Sequence, residues 1–191
     1  MSRQKIIEAA LELFSKENYS AVSLADISGK VGIKKSSIYS HFSSKEKLFL
    51  AVLDGQLKEI YTFIEKELDK EKDNRAEYKL YELFRKSTEL VANNSILGGF
   101  WKCILYSPPL GLHDQIKTKT SGLNKKLLSI ETQLIKLAID SGEIKEQSIE
   151  KLIYSFSCLI HGNFTMVIMG NNFSLENLDH SWKVYWNGIK N

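Results

Sequence analysis

Residues 23–47 read SLADISGKVGIKKSSIYSHFSSKEK, and their spacing predicts two short helices joined by a tight turn. Ser23 can cap the first helix, and Asp26 three residues later can complete a capping box. Gly32 follows the apolar residues of that helix directly, at a position where a left-handed backbone costs glycine little. The second helix is expected over Lys35–His41. Helix, glycine turn and helix in this order form the helix-turn-helix pattern.

The whole chain predicts an all-α fold of two domains. Its 191 residues are 43% hydrophobic and 26% charged, which is enough apolar material to bury a core. Only 2 prolines occur, and apolar residues recur at helical spacing instead of alternating with polar ones. A helix over Ser44–Leu68 would be on the order of 35 Å long and could bridge two domains. We therefore expect a three-helix domain over residues 1–47 and a larger helical domain over residues 48–191.

Positive charge is concentrated near the N-terminus. The formal net charge is +3, and residues 1–50 hold eight Lys or Arg against five Asp or Glu, so this segment carries the whole excess. Such an excess is expected where a protein meets phosphates.

The sequence also predicts a compartment. Glu8 and Glu12 interrupt the apolar pattern of the first helix, and the longest apolar run is too short for a bilayer. We therefore expect a cytoplasmic protein without membrane partners. Cys103 and Cys158 are expected to be reduced and buried, with a redox-sensing pair as the alternative.

Basic and hydroxyl side chains cluster at the start of the second helix. Lysine can donate to guanine and serine to either kind of base edge, and free amides at a helix N-terminus attract phosphate. Lys45 begins the next helix, where a cation opposes the helix dipole unless a phosphate completes the arrangement. Solvent-facing lysines, and packing roles for Tyr39 and His41, are the alternative. The predicted DNA-binding residues are Ser23, Lys34, Lys35, Ser36, Ser37, Tyr39, His41 and Lys45.

Residues 23–48 resemble the N-terminal DNA-binding domain of the TetR family of bacterial transcriptional regulators. Three positions depart from the family's common pattern, and the one at Lys34 leaves open how the second, recognition helix is capped. Ser28 and Ser36 are the other two. The similarity lies in Val31-Gly32-Ile33 at the turn, Ser37-Ile38-Tyr39-Ser40-His41-Phe42, Ser44-Lys45-Glu46-Lys47-Leu48, and Ala9–Phe14 in the first helix.

The resemblance implies a homodimeric, ligand-responsive regulator, most often a repressor, that a small-molecule effector releases from a palindromic DNA operator. It also implies that the effector binds among the C-terminal helices and that the last two helices dimerise. Trp182 and Trp186 are expected to be exposed at that interface. An aromatic cavity with a few polar groups suits an effector. The candidates are Trp101, Tyr106, His161 and Asn163, with core or dimer packing as the alternative.

Two other classes of function stay open. A helical scaffold could bind protein through its N-terminal domain, and it would lack the salt-dependent duplex binding of a DNA-binding protein. An enzyme could use the aromatic cavity, but the sequence contains no catalytic motif, phosphate-binding glycine loop or metal-ligand spacing. We therefore expect no enzymatic activity, no cofactor and no metal. The pair Gly98-Gly99 is interpreted as permitting close packing or a kink.

Overall fold

The computed structural model describes residues 3–69, 75–170 and 173–191. Within them the fold is all-α, as predicted, with no strand beyond an isolated bridge between Ile144 and Lys190. None of the helices described is long and apolar enough to cross a membrane. The helices are α1 (Arg3–Lys16), α2 (Leu24–Val31), α3 (Lys35–Tyr39), α4 (Lys45–Asp69), α5 (Ala76–Ala92), α6 (Ser95–Tyr106), α7 (His113–Asp140), α8 (Ile149–Ile168) and α9 (Leu175–Ile189).

Helix α3 ends earlier than the sequence predicts, at Tyr39 instead of His41. The amides of His41 and Phe42 both donate to the carbonyl of Ile38 at 2.9 Å, so the chain turns at this point. The bridging helix α4 is found over Lys45–Asp69, close to its predicted bounds. Helix α3 is therefore short, with five residues.

The chain packs as two compact units. The head unit comprises Met1–Glu59 and Asn94–Ser121, and the body unit comprises Ile60–Asn93 and Gly122–Asn191. Helices α4 and α7 contribute residues to both units. The predicted functional division at residue 47 stays a prediction, because packing and not function defines these units.

Helices α1 and α6 pack closely in the core of the head unit. The ring of Phe49, from α4, lies 5.5 Å from that of Phe100, from α6, between centroids. At Gly99 an added Cβ would collide with the backbone carbonyl oxygen of Ser15 in α1. Close packing is therefore the correct interpretation at Gly99.

Trp182 lies in the core of the body unit. Its ring centroid is 5.5 Å from that of Trp186, 6.2 Å from that of Phe84 and 6.4 Å from that of Phe156. The exposed fractions of Trp182 and Trp186 are 6% and 5%, so the prediction that these residues are exposed is wrong. Together with Leu178 they recur every four residues on the buried face of α9. Apolar spacing alone does not distinguish such a face from an interface with a partner.

A carboxylate from a distant turn caps α5 within the body unit. Glu143 accepts hydrogen bonds from the backbone amides of Ala76 at 2.9 Å and Glu77 at 2.8 Å. The hydroxyl of Ser141 donates to the same carboxylate at 2.9 Å. The negative charge also complements the positive end of the helix dipole. Glu143 therefore ties the start of α5 to the turn that follows α7.

Candidate nucleic-acid interface

Local hydrogen bonds fix α2 and the turn that follows it. Ser23 and Asp26 form the predicted capping box, in which the Ser23 amide donates to Asp26 Oδ2 at 2.8 Å and the Asp26 amide donates to Ser23 Oγ at 3.2 Å. The hydrogen bonds from Ser23 lower the pKa of the Asp26 carboxyl. Gly32 has a φ of 75°, and the Ile33 amide donates to the Ser28 carbonyl at 2.9 Å. These contacts set the direction in which α3 begins.

Helix α3 is anchored on one side and exposed on the other. Ile38 is completely buried, whereas the neighbouring Tyr39 is 51% exposed, which argues against a packing role for Tyr39. Lys34 occupies the N-cap position of α3, and its side chain makes no capping hydrogen bond. The predicted DNA-binding residues of this segment are all exposed, namely Lys34, Lys35, Ser36, Ser37, Tyr39 and His41.

Ion pairing occupies some lysines of the head unit and leaves others available. Glu12 pairs with Lys16 at 2.8 Å and Lys30 at 2.9 Å, and these bonds, the one to Lys16 first, lower the pKa of Glu12 to about 2. In the part of the chain that the structure describes, no carboxylate is paired with Lys34 or Lys35. Their ammonium groups are therefore available to a negatively charged partner such as a phosphate.

A groove of about 400 Å³ lies beside α3 in the head unit. Its walls carry hydroxyl and ammonium groups that can donate to an oxyanion. It brings together Ser23, Lys35, Tyr39 and Lys45, but not the other four predicted DNA-binding residues. The lining residues are Ser20, Val22, Ser23, Leu24, Lys35, Tyr39, Ser43, Ser44, Lys45 and Glu46.

The ammonium group of Lys45 has protein partners. It donates to the backbone carbonyls of Tyr19 at 2.8 Å and Val22 at 2.9 Å, and it lies 4.1 Å from the centroid of the Tyr19 ring. The two carbonyls and the aromatic face therefore offset the unfavourable interaction between the Lys45 cation and the dipole of α4. The sequence alone predicts a phosphate in this compensating role. Sequence reasoning missed these contacts because the carbonyls lie 26 and 23 residues earlier and a backbone group gives no sequence signal.

Tyr19 links the loop between α1 and α2 to the core of the head unit. Its ring lies 5.0 Å from that of Phe49 between centroids. Burial first, and the Glu46 carboxylate second, raise the pKa of Tyr19 to about 12. Although Glu46 is close enough to affect this pKa, no group in the described residues meets hydrogen-bond geometry with the buried Tyr19 hydroxyl. The ring is therefore held mainly by packing and by the Lys45 ammonium.

The predicted effector-binding residues are divided between the units. Trp101 is buried and Tyr106 is 50% exposed on α6 of the head unit. On α8 of the body unit His161 is exposed, and the side-chain Nδ2 of Asn163 donates to the Leu159 carbonyl at 3.0 Å. A cavity of about 300 Å³ in the body unit contains none of the four. Its lining residues are Arg75, Glu77, Tyr78, Tyr81, Asp179, Trp182 and Lys183.

Potential metal ligands and the two cysteines were the remaining candidates for chemistry in the residues that the structure describes. No group of three or more His, Cys, Asp or Glu there could hold a metal ion. Cys103 is buried, as predicted, but Cys158 is exposed on α8, so the prediction of burial is wrong for Cys158. Apolar residues of α8 also occupy its exposed side, where Tyr154 is 74% exposed, so an apolar neighbourhood in the sequence did not indicate burial of Cys158.

Comparison with known proteins identifies the N-terminal segment. Residues 6–52 match the sequence model of the family described as bacterial regulatory proteins, tetR family. The chain is 45% identical over 47 residues to IcaR of Staphylococcus epidermidis, the HTH-type negative transcriptional regulator of the biofilm operon icaADBC. It is 34% identical over 73 residues to the HTH-type transcriptional activator FasR of Mycolicibacterium smegmatis. These matches cover 25% and 38% of this chain, and only 25% and 33% of those relatives.

The fold of the whole chain also has solved counterparts. The transcriptional regulator FadR from Bacillus subtilis, in complex with stearoyl-CoA, matches 98% of this chain and 100% of that chain, with a TM-score of 0.79 and 20% identity. FadR from Bacillus halodurans, a fatty acid degradation regulator, matches 96% and 93% with a TM-score of 0.74 and 17% identity. At these identities the similarity concerns the fold alone. Residues 6–52 thus match the tetR family of bacterial regulatory proteins, and the whole chain shares its fold with solved transcriptional regulators.

Proposed function

We propose that this protein is a homodimeric DNA-binding transcriptional regulator that reads its operator with α3. The observation that carries the proposal is that Ile38 is completely buried while Lys35 and Tyr39 on either side of it are exposed. A helix held from behind can enter a major groove, where lysine and serine side chains donate to base edges. The remaining proposed contacts from this segment are Lys34, Ser36, Ser37 and His41.

The groove beside α3 is the proposed site for a backbone phosphate. Lys35 supplies a cation and Tyr39 a hydroxyl, and Ser23 stands at the N-terminus of α2, whose dipole favours an anion. Phosphate contacts of this kind fix the position of a protein on a duplex, and base contacts then specify the sequence. The proposal therefore assigns positioning to the groove and sequence readout to the exposed face of α3.

Dimerisation is proposed through α8 and α9, as the family resemblance implies. These helices expose large apolar side chains within the body unit, with Tyr154 74%, Met166 55% and Val184 61% exposed. Tyr154, Met166 and Val184 are therefore the proposed dimer contacts, in place of the buried Trp182 and Trp186. A two-fold dimer requires a roughly palindromic operator with half-sites about 34–36 Å apart or a multiple of that spacing.

The regulator is proposed to act in the cytoplasm as a repressor that a small-molecule effector releases. IcaR, with which it shares the N-terminal segment, is a negative regulator, which supports repression. Helix α4 contributes to both units, and we propose that it couples effector binding to the separation of the two DNA-binding heads. The complex of B. subtilis FadR makes stearoyl-CoA the first effector to test.

The test is a selection of random duplexes with the purified protein, followed by titration of the recovered duplex. Lys35→Ala and Tyr39→Phe are expected to weaken duplex binding by about 1.5–3 kcal/mol each, the usual range for a hydrogen bond to a charged group such as a phosphate. Neither should change thermal stability, because both side chains are exposed. Lys136→Ala is the matched control, since it removes an exposed lysine from α7 in the body unit.

The salt dependence of duplex binding and the effect of each effector decide the proposal. Steep loss of duplex binding as salt rises supports phosphate contacts. A protein that binds no duplex at low salt would instead be a protein-binding scaffold. Equal operator affinity with and without stearoyl-CoA would exclude that effector, and equal affinity with every effector that binds would refute release.

A further inference from the structure

We propose that Lys45 is a positioning residue, which holds the loop between α1 and α2 in place and does not itself contact DNA. This inference rests on the proposed function and concerns the same groove. It changes the role that the sequence predicts for Lys45, from a phosphate contact to a support for the wall that contacts the phosphate.

The contacts of Lys45 commit most of its donors. An ammonium group has three hydrogen-bond donors, and two of them are directed at the carbonyls of Tyr19 and Val22, at 2.8 and 2.9 Å. These are the short distances of charge-assisted bonds. The Tyr19 ring covers the ammonium at 4.1 Å from its centroid. A phosphate could compete for the remaining donor only, with part of the charge already offset.

The loop that Lys45 holds leads directly to the phosphate-binding end of α2. The Val22 carbonyl immediately precedes Ser23, which caps α2 and lines the groove. Within the loop, the Ala21 amide donates to the Asn18 carbonyl at 3.0 Å. The two bonds from Lys45 therefore add the long-range restraint that joins this turn to the start of α4. Fixing the Val22 carbonyl also fixes the Ser23 backbone, and with it the position of the amides at the N-terminus of α2.

The aromatic contacts give this restraint a rigid support. The Tyr19 ring lies between the Lys45 ammonium and the core, 5.7 Å from Phe14 and 5.0 Å from Phe49 between centroids. Removing the ammonium would leave the ring packed but would release the carbonyls on both sides of it. The expected consequence is a loop that samples several conformations, of which one presents Ser23 to the groove.

The test compares Lys45→Met with Lys35→Met in the full chain, at a temperature where circular dichroism shows both to be folded. Methionine keeps most of the apolar stem and removes the ammonium. If the competent loop conformation falls to about a tenth of the molecules, the apparent Kd of Lys45→Met rises about tenfold. The slope of log K against log salt should stay at the wild-type value, and hydrogen exchange of residues 19–26 should accelerate. Lys35→Met should reduce the magnitude of the slope by about 0.9, without faster exchange.

The probe is the duplex recovered by selection or, if none is recovered, a mixed-sequence duplex at low salt. A slope that falls by about 0.9 in Lys45→Met, with unchanged exchange in the loop, would show that Lys45 contacts a phosphate and would overturn the inference. If the wild type binds no duplex, the proposed function fails by itself. The exchange measurement then still decides whether Lys45 holds the loop, and unchanged exchange would reject that as well.

Discussion

Replacing Glu143 with alanine is expected to destabilise the body unit through the loss of a helix cap. The carboxylate accepts from the amides of Ala76 and Glu77 at 2.9 and 2.8 Å, and alanine leaves both without this acceptor. Loss of a single N-cap acceptor costs about 0.5–2 kcal/mol. Loss of the negative charge at the helix N-terminus adds about 0.3–1 kcal/mol. Together these losses should lower the free energy of unfolding by about 1–3 kcal/mol, and water that reaches part of the site offsets some of it.

Two measurements check this expectation. Urea unfolding followed by circular dichroism gives the change in free energy, and hydrogen exchange at the amides of Ala76 and Glu77 reports the cap itself. Glu143→Gln keeps one acceptor oxygen and should lose less than Glu143→Ala. Glu146→Ala is the matched control, because it removes an exposed carboxylate three residues away and should change stability by less than about 0.5 kcal/mol. If Glu143→Ala stays within that limit, or the two amides keep their protection, the capping argument is incorrect.

Two further predictions concern the cores of the units. Gly99→Ala should destabilise the head unit by about 1–3 kcal/mol in thermal or urea unfolding, because its Cβ would overlap the Ser15 carbonyl. Gly55 is an open helical position of the same unit, so Gly55→Ala should instead stabilise the unit by about 0.5–1 kcal/mol. Equal effects of the two substitutions on stability would refute the clash. Burial raises the pKa of Glu131 above its ordinary value of 4.5, so the stability that its protonated form contributes should be present below pH 4.5 and lost as pH rises through the folded-state pKa. Glu131→Gln stays neutral and can still accept a hydrogen bond from Ser157, so its urea midpoint should fall less than that of the wild type across that pH range. If the urea midpoints of the two proteins change equally with pH, Glu131 is not the group responsible.

Local signals explain what the sequence predicted well. Ser23 with Asp26 predicts a capping box, and Gly32 predicts the left-handed turn, because each depends on atoms only a few residues apart. The missing cap at Lys34 also follows from side-chain chemistry, since lysine offers no acceptor to a helix N-terminus.

Contacts between distant segments explain what the sequence could not predict. Lys45 meets carbonyls 26 and 23 residues away, and Glu143 caps a helix that begins 67 residues earlier. Backbone groups are the same in every residue, so neither contact has a pattern to find. The burial of Trp182 required knowledge of which helices cover α9, which periodicity alone does not contain.

The close approach of α6 to α1 limits how this protein can be recombined with others. The family match ends at residue 52, but the head unit also needs residues 94–121, and the carbonyl of Ser15 tolerates only glycine opposite it at position 99. A chimera that grafts residues 1–59 onto another protein of this fold would place Ser15 opposite the host's own residue and would leave Phe49 without its partner Phe100. A workable graft should therefore transfer both segments together, so the exchangeable module is discontinuous along the chain.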